Sequence, residues 1–274
     1  MGGADFDAPL PAEAGDAPIL LAEGEGLRGS GAGPVSFASF ASVRFSPLPA
    51  STREVEEVAA LWRGKGHDAL VLTGALATEA AFKAAAPARR ILHVATHGFF
   101  LGGDARPGAP GGRGIGSLTP AGRKGGASRS DARPLRLSGL TFAGANRRAG
   151  AAPGAEDGIL TAEEIAALDL SRVEWAVLSA CDTGAGEVRA GEGILGLRRA
   201  FQVAGAGTLV LTLWPVFDAD ARDFMTALHA SRLSKGSDAA EAARDACLEV
   251  LRSRRERGLD THPFHWAAFV AAGR

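Results

Sequence analysis

From Ser51 onward the chain alternates between apolar runs of strand length and apolar positions at helical spacing. Val55, Val58, Ala59, Leu61 and Trp62 fall on one face, which predicts a helix capped by Ser51 or Thr52 and ending near Gly64-Lys65-Gly66. Ala69-Leu70-Val71-Leu72-Thr73 reads as a short buried strand, and Thr78 as the cap of a second helix with Pro87 just past its end. An apolar run over 91–97 predicts the next strand. Thr161 and Glu164 form a capping-box pattern. Beyond it the pattern predicts a strand at 174–180, a helix at 192–204, a strand at 207–213, helices at 218–232 and 237–255, and a final strand at Trp266 to Ala271. Continuously apolar strands separated by helices mean a mostly parallel sheet covered on both faces, an α/β fold.

Three stretches break the alternation. Residues 1–50 are rich in Gly, Ala, Pro and Ser, with Pro18–Leu21 and Val35–Phe37 as short extended pieces. Residues 102–134 are Gly, Pro, Arg and Ser with few apolar positions, too few to bury a core, and read as a long flexible insertion. Residues 147–158 read as a second flexible piece. The chain thus divides into an N-terminal segment, 1–44, and a main domain, 45–274.

Composition narrows the function. Thirty basic and 31 acidic residues leave a formal net charge of −1, which points to neither nucleic acid nor a membrane surface as a direct partner. Cys181 and Cys247 are the two cysteines of the 274 residues. They form neither a disulfide framework nor a zinc pattern, and a reducing, cytoplasmic setting is expected. No metal or cofactor is implied. No run reaches the roughly 20 apolar residues of a membrane span.

The chemistry gathers at two strand ends. ILHVATHGFF (91–100) ends its apolar run in His97-Gly98, and WAVLSACDTG (175–184) ends in Cys181-Asp182. In a parallel sheet the carboxyl ends of strands are aligned, and ligands bind there. A thiol beside an imidazole is the minimum apparatus of cysteine nucleophilic catalysis. Gly98 offers an unhindered N–H for an oxyanion, with the N–H of Cys181 as second donor. Taken singly, a cysteine or histidine at a strand end is more often a core residue. His93, on the same strand face as His97, reads as structural. Cys247 lies on the apolar face of a helix. His67, His229 and His262 read as loop or helix-surface residues, and His265 as a packing residue.

FSPLPASTREVEEV (45–58), LTGALATEAAFK (72–83), ILHVATHGFF, LRLSGLTFAGAN (135–146), DGILTAEEIAALDL (157–170), the block from VLSACDTG to LVLTLWPV (177–216) and HPFHWAAFVAAG (262–273) follow one another in the order of the CHAT domain family. The chain resembles that family over most of 45–273, and GGADFDAP at 2–9 resembles the start of its conserved block, as in the C-terminal part of a longer protein. The resemblance implies a caspase-like three-layer sandwich of the caspase and separase group, often fused to tetratricopeptide repeats. It places the catalytic histidine on His97 and the nucleophile on Cys181. It implies a bacterial, cytoplasmic thiol protease that cuts a specific protein substrate under control of a repeat region or activator, in defence or cell death. The segment after the next strand, 213–218, would line the pocket, with Trp214 as its wall. Asp182 and Asp218 would be acids selecting Arg or Lys before the cut. Arg123, Lys124, Arg129, Arg133, Arg147 and Arg148 are candidate self-processing positions. The alternatives are a non-catalytic interaction module that keeps the fold, and a different cysteine chemistry such as thioester hydrolysis.

Overall fold

Trp175–Ser179 is five successive buried residues, and its period of two sorts them onto opposite faces of a sheet. Ala176 and Leu178 join one core cluster, and Trp175 and Val177 another. That division organises the molecule. A computed structural model of the chain describes residues 1–10, 43–100, 138–152, 154–180, 196–214 and 216–273.

Along the chain run α1 (Pro49–Arg63), α2 (Glu79–Ala85), β1 (Ile91–Ala95), β2 (Gly98–Phe100), β3 (Ser138–Thr141), β4 (Ile159–Thr161), α3 (Ala162–Ala166), β5 (Trp175–Ser179), α4 (Gly196–Val203), β6 (Thr208–Thr212), α5 (Asp218–Lys235), α6 (Ala239–Glu256) and β7 (Phe269–Gly273). The main sheet has the order β1-β5-β6-β7, with parallel pairs except for the antiparallel β6–β7 edge. A second, antiparallel sheet has the order β2-β3-β4. One face of the main sheet packs through Leu92, Leu178 and Leu209 on Phe82, Ile165, Phe201 and the second sheet. The other packs through Val177, Val210 and Phe269 on Phe224, Met225 and Leu228 of α5 and on Ala242 and Ala246 of α6. Helices on both faces of a mostly parallel sheet make the three-layer sandwich expected.

Local chemistry sets the element ends. Thr78 accepts from the Ala81 N–H, and Thr161 and Glu164 form the expected reciprocal capping box. A second capping box, Asp238 with Glu241, starts α6. Helix α1 starts two residues before the expected cap, at Pro49, because proline suits the first turn. Ser51 instead donates to the Leu48 carbonyl and accepts from the Gly3 N–H.

Three expectations change. Residues 69–73 are not a buried strand: Leu70 is 49% exposed, and among the described residues the segment's backbone pairs only through its end with residues 2–5. The 91–97 strand stops at Ala95, where the chain leaves the main sheet for β2. Residues 147–158 are not a loose piece throughout. Ala145–Gly150 is a 3-10 turn in which Arg148 is buried, donates to the Ala145 and Val43 carbonyls and lies over the Phe45 ring. The insertion at 102–134, Pro18–Leu21, Val35–Phe37 and the basic positions Arg123, Lys124, Arg129 and Arg133 lie outside the described residues.

Candidate active site

β1 and β5 are adjacent and parallel, and their register pairs Ala95 with Ser179. His97 lies two residues beyond that pair, past the carboxyl end of β1, where ligands bind in such sheets. Cys181 and Asp182 lie outside the described residues, so the histidine side carries the geometry.

His97 is 3% exposed. Its ring packs against those of Phe6, 5.3 Å away, and Phe45, 5.7 Å away, which also touch each other at 6.1 Å. Its Nε2 lies 2.8 Å from the Ser46 carbonyl oxygen. A carbonyl only accepts, so Nε2 carries the proton and the lone pair of the neutral ring is on Nδ1. The backbone is fixed as well. The Thr141 N–H donates to the His97 carbonyl, and the Thr96 hydroxyl donates to the Thr141 carbonyl at 2.5 Å. Gly98 follows at once as the first residue of β2, paired with Leu140.

The Phe45–Ser46 segment that holds His97 is itself held. Asn146 accepts from the Phe45 N–H at 2.8 Å and donates to the Phe45 carbonyl at 3.1 Å. Its own N–H donates to the Phe6 carbonyl. Arg148 holds Val43 from below the same segment. These two residues are absent from the sequence reading of the site. Their signal there is faint: a polar pair behind an apolar strand, about 50 residues from the histidine it serves.

The remaining candidates disperse. Trp214 is half-buried against the α5–α6 side, and its indole N–H donates to the Phe264 carbonyl at 3.0 Å. Asp218 opens α5, and its Oδ2 accepts from the Ala50 N–H at 2.6 Å. It thus caps the first turn of α1, whose own N-cap residue Leu48 has no oxygen to offer. Cys247 lies in α6, and burial pushes its thiol up, away from thiolate reactivity.

Two polar clusters lie elsewhere. His229, read as a surface residue, is fully buried on α5. The Trp62 indole donates to its Nδ1 at 3.1 Å, its Nε2 meets Nδ1 of His93 at 3.0 Å, and Nε2 of His93 meets Glu54 at 2.9 Å. An indole only donates, so every proton in this chain is assigned in one direction, from Trp62 to Glu54. Around Lys83, carboxylate oxygens of Glu79, Glu156 and Glu164 lie within 4.8 Å of one another. The Lys83 ammonium occupies the cation position among them, at 2.7–2.9 Å. Burial, then Glu156, pushes the Glu79 carboxyl up to about 9, so Glu79 holds a proton beside the Lys83 ammonium.

No helix among the described residues is long and apolar enough to cross a membrane. The chain is 36% identical over 115 residues to Tetratricopeptide repeat protein 28 of Mus musculus, covering 42% of this chain and 4% of that protein. It is 33% identical over 121 residues to the Homo sapiens protein of the same name, covering 44% of this chain and 5% of that one. The chain therefore spans about a twentieth of the length of these relatives. The family model described as CHAT domain matches residues 2–274, and the chain belongs to the CHAT domain family, within the caspase-like protease superfamily.

Proposed function

We propose that this domain is a caspase-like cysteine endopeptidase working through Cys181 and His97. The observation that supports it most is the placement of His97 at the carboxyl end of β1, beside the strand that leads to Cys181, with its Nε2–H committed to the Ser46 carbonyl. That bond sets the tautomer a base needs. Nδ1 takes the thiol proton, the thiolate adds to the scissile carbonyl, and the N–H groups of Gly98 and Cys181 stabilise the oxyanion. The C–N bond then breaks as the imidazolium protonates the leaving amine. Water, deprotonated by His97, hydrolyses the thioester and regenerates the thiol.

The substrate is a protein cut after Arg or Lys, with Trp214 beside the pocket. Asp218 has one oxygen engaged on Ala50, so Asp182 carries the greater weight as the recognising acid. A tetratricopeptide-repeat region or an activator protein controls the site, consistent with the names of the relatives. The setting is bacterial and cytoplasmic, in defence or cell death.

The test is labelling of the purified chain by a peptidyl acyloxymethyl ketone ending in Arg, with the site located by mass spectrometry. Modification of Cys181, lost in Cys181→Ala and in His97→Ala, is the expected result. Failure of the ketone to label Cys181 even with the longer polypeptide present would favour an interaction module. Labelling by a probe ending in an apolar residue alone would remove the acidic pocket and keep the dyad.

A further inference from the structure

The stretch Phe45-Ser46-Pro47-Leu48-Pro49-Ala50 runs between two fixed points. At its first end the Ser46 carbonyl accepts from Nε2 of His97 at 2.8 Å, and Asn146 holds Phe45 beside it. At its last end the Ala50 N–H donates to Oδ2 of Asp218 at 2.6 Å. What lies between is stiff. Pro47 and Pro49 lock their own φ, and each turns the residue before it away from the helical region. Leu48 follows that rule at φ −114° and ψ 83°, and its side chain is buried. Its carbonyl accepts from both the N–H and the hydroxyl of Ser51. Few torsions remain free between the carbonyl that orients the imidazole and the N–H that Asp218 holds.

Asp218 serves two helix starts at once. It lies in the first turn of α5, and its carboxylate receives an N–H from the first turn of α1. Both positive helix ends favour the negative group there. It also directly follows Trp214 and Phe217, which are tied to the 263–265 turn. The Trp214 indole donates to the Phe264 carbonyl, and the Phe217 ring meets those of Phe264 and His265.

We propose that Asp218 is a positioning residue for His97: by holding Ala50 it fixes the strut 46–50, and through the strut the Ser46 carbonyl that selects the ring's tautomer. The carboxylate thereby joins the segment after β6 to the histidine. The bond to Ala50 needs an oxygen at that place, whereas recognition of Arg or Lys needs the charge. An amide at 218 therefore keeps the first role and loses the second. That His97 acts as a base rests on the function proposed above; that Asp218 orients its ring does not.

Long-range proton–nitrogen NMR spectra read the tautomer of an imidazole directly. They are recorded on the full chain with Cys181→Ala, so that no thiol proton is shared, at about pH 8.5, above the ordinary histidine range. His97→Ala assigns the signal. His97 is expected as the Nε2–H tautomer with Asp218 or with Asp218→Asn. In Asp218→Ala its two nitrogen shifts should converge as the other tautomer mixes in. Pro47→Gly, which leaves Asp218 and Ala50 in place and loosens the strut, should move them the same way by less, and it carries the test alone if Asp218→Ala does not fold. With Cys181 present, Asp218→Ala should slow labelling by the Arg-terminated ketone about tenfold, in the limiting rate rather than in the half-saturating ketone concentration. Asp218→Asn should recover most of that rate. Unchanged nitrogen shifts in Asp218→Ala and Pro47→Gly overturn the proposal. So does an equal loss of labelling in Asp218→Ala and Asp218→Asn with the tautomer intact, which would make Asp218 the acid that recognises the basic side chain. Shifts that converge in a protein whose Cys181 never labels would uphold the positioning and remove the protease reading.

Discussion

His93 and His97 lie four residues apart in one strand sequence, yet they do opposite things. His93 faces α1 and α5, and both ring nitrogens are engaged in a buried chain that ends on Glu54. His97 lies past the end of β1, held through Nε2 by a backbone carbonyl and packed against the touching rings of Phe6 and Phe45. The first imidazole is a connector that ties a strand to two helices. The second has its tautomer set by an acceptor that neither titrates nor moves with a side-chain rotamer. Strand termination makes the difference: had β1 continued to 97, period two would have put both rings on the same face.

The sharpest way to break this comparison is His97→Ala. Labelling of Cys181 by the Arg-terminated ketone is expected to fall by about 10³-fold, within the range of a lost general base. The urea midpoint should move little. A variant that unfolds but labels normally in its folded fraction would make His97 a second connector.

Glu54→Ala attacks the other histidine. It takes away a fully buried carboxylate that accepts from His93, and should lower stability by about 3 kcal/mol, read from urea unfolding. Glu54→Gln keeps an acceptor and should cost about half as much. Neither should slow labelling of the folded protein.

Acid separates the two sites further. Burial, with His93 beside it, holds the His229 imidazole well below its ordinary range. The unfolded ring binds a proton below about pH 6.5 while the folded ring does not. Stability therefore falls as pH drops through that value, by about 1.4 kcal/mol per pH unit from this group. His229→Leu should flatten that part of the urea-midpoint profile between pH 6.5 and 5.

Much of this was legible in the sequence, and the rest for definite reasons was not. Periodicity located the buried strands and long helices because one face or both must be apolar. Thr161-Ala-Glu-Glu named its own cap. The strand-end rule brought His97 to the carboxyl edge without any knowledge of its partners. Periodicity failed on 69–73, an apolar run that among the described residues pairs only through its end with residues 2–5, and the residue-by-residue reading failed on His229, a polar residue whose burial depends on Trp62 and His93 from two other elements. It also passed over Asn146, since a side chain that serves another segment's backbone leaves no periodic trace.

Asn146→Ala gives the smallest effect and sharpens the comparison most. The amide accepts from the Phe45 N–H and donates to its carbonyl, next to the Ser46 carbonyl that fixes His97. Its loss should cost about 1–2 kcal/mol of stability, as two ordinary hydrogen bonds would. If Asn146 only braces the fold, the labelling rate of the folded protein stays constant. If it positions the histidine, labelling slows by about tenfold, because Ser46 no longer holds one ring orientation. Asn146→Asp keeps an acceptor for the Phe45 N–H and loses the amide donor, so it should recover part of the rate. A rate that tracks stability across the three proteins would reduce Asn146 to a loop brace, and a rate that falls faster than stability would make it a positioning residue of the histidine site.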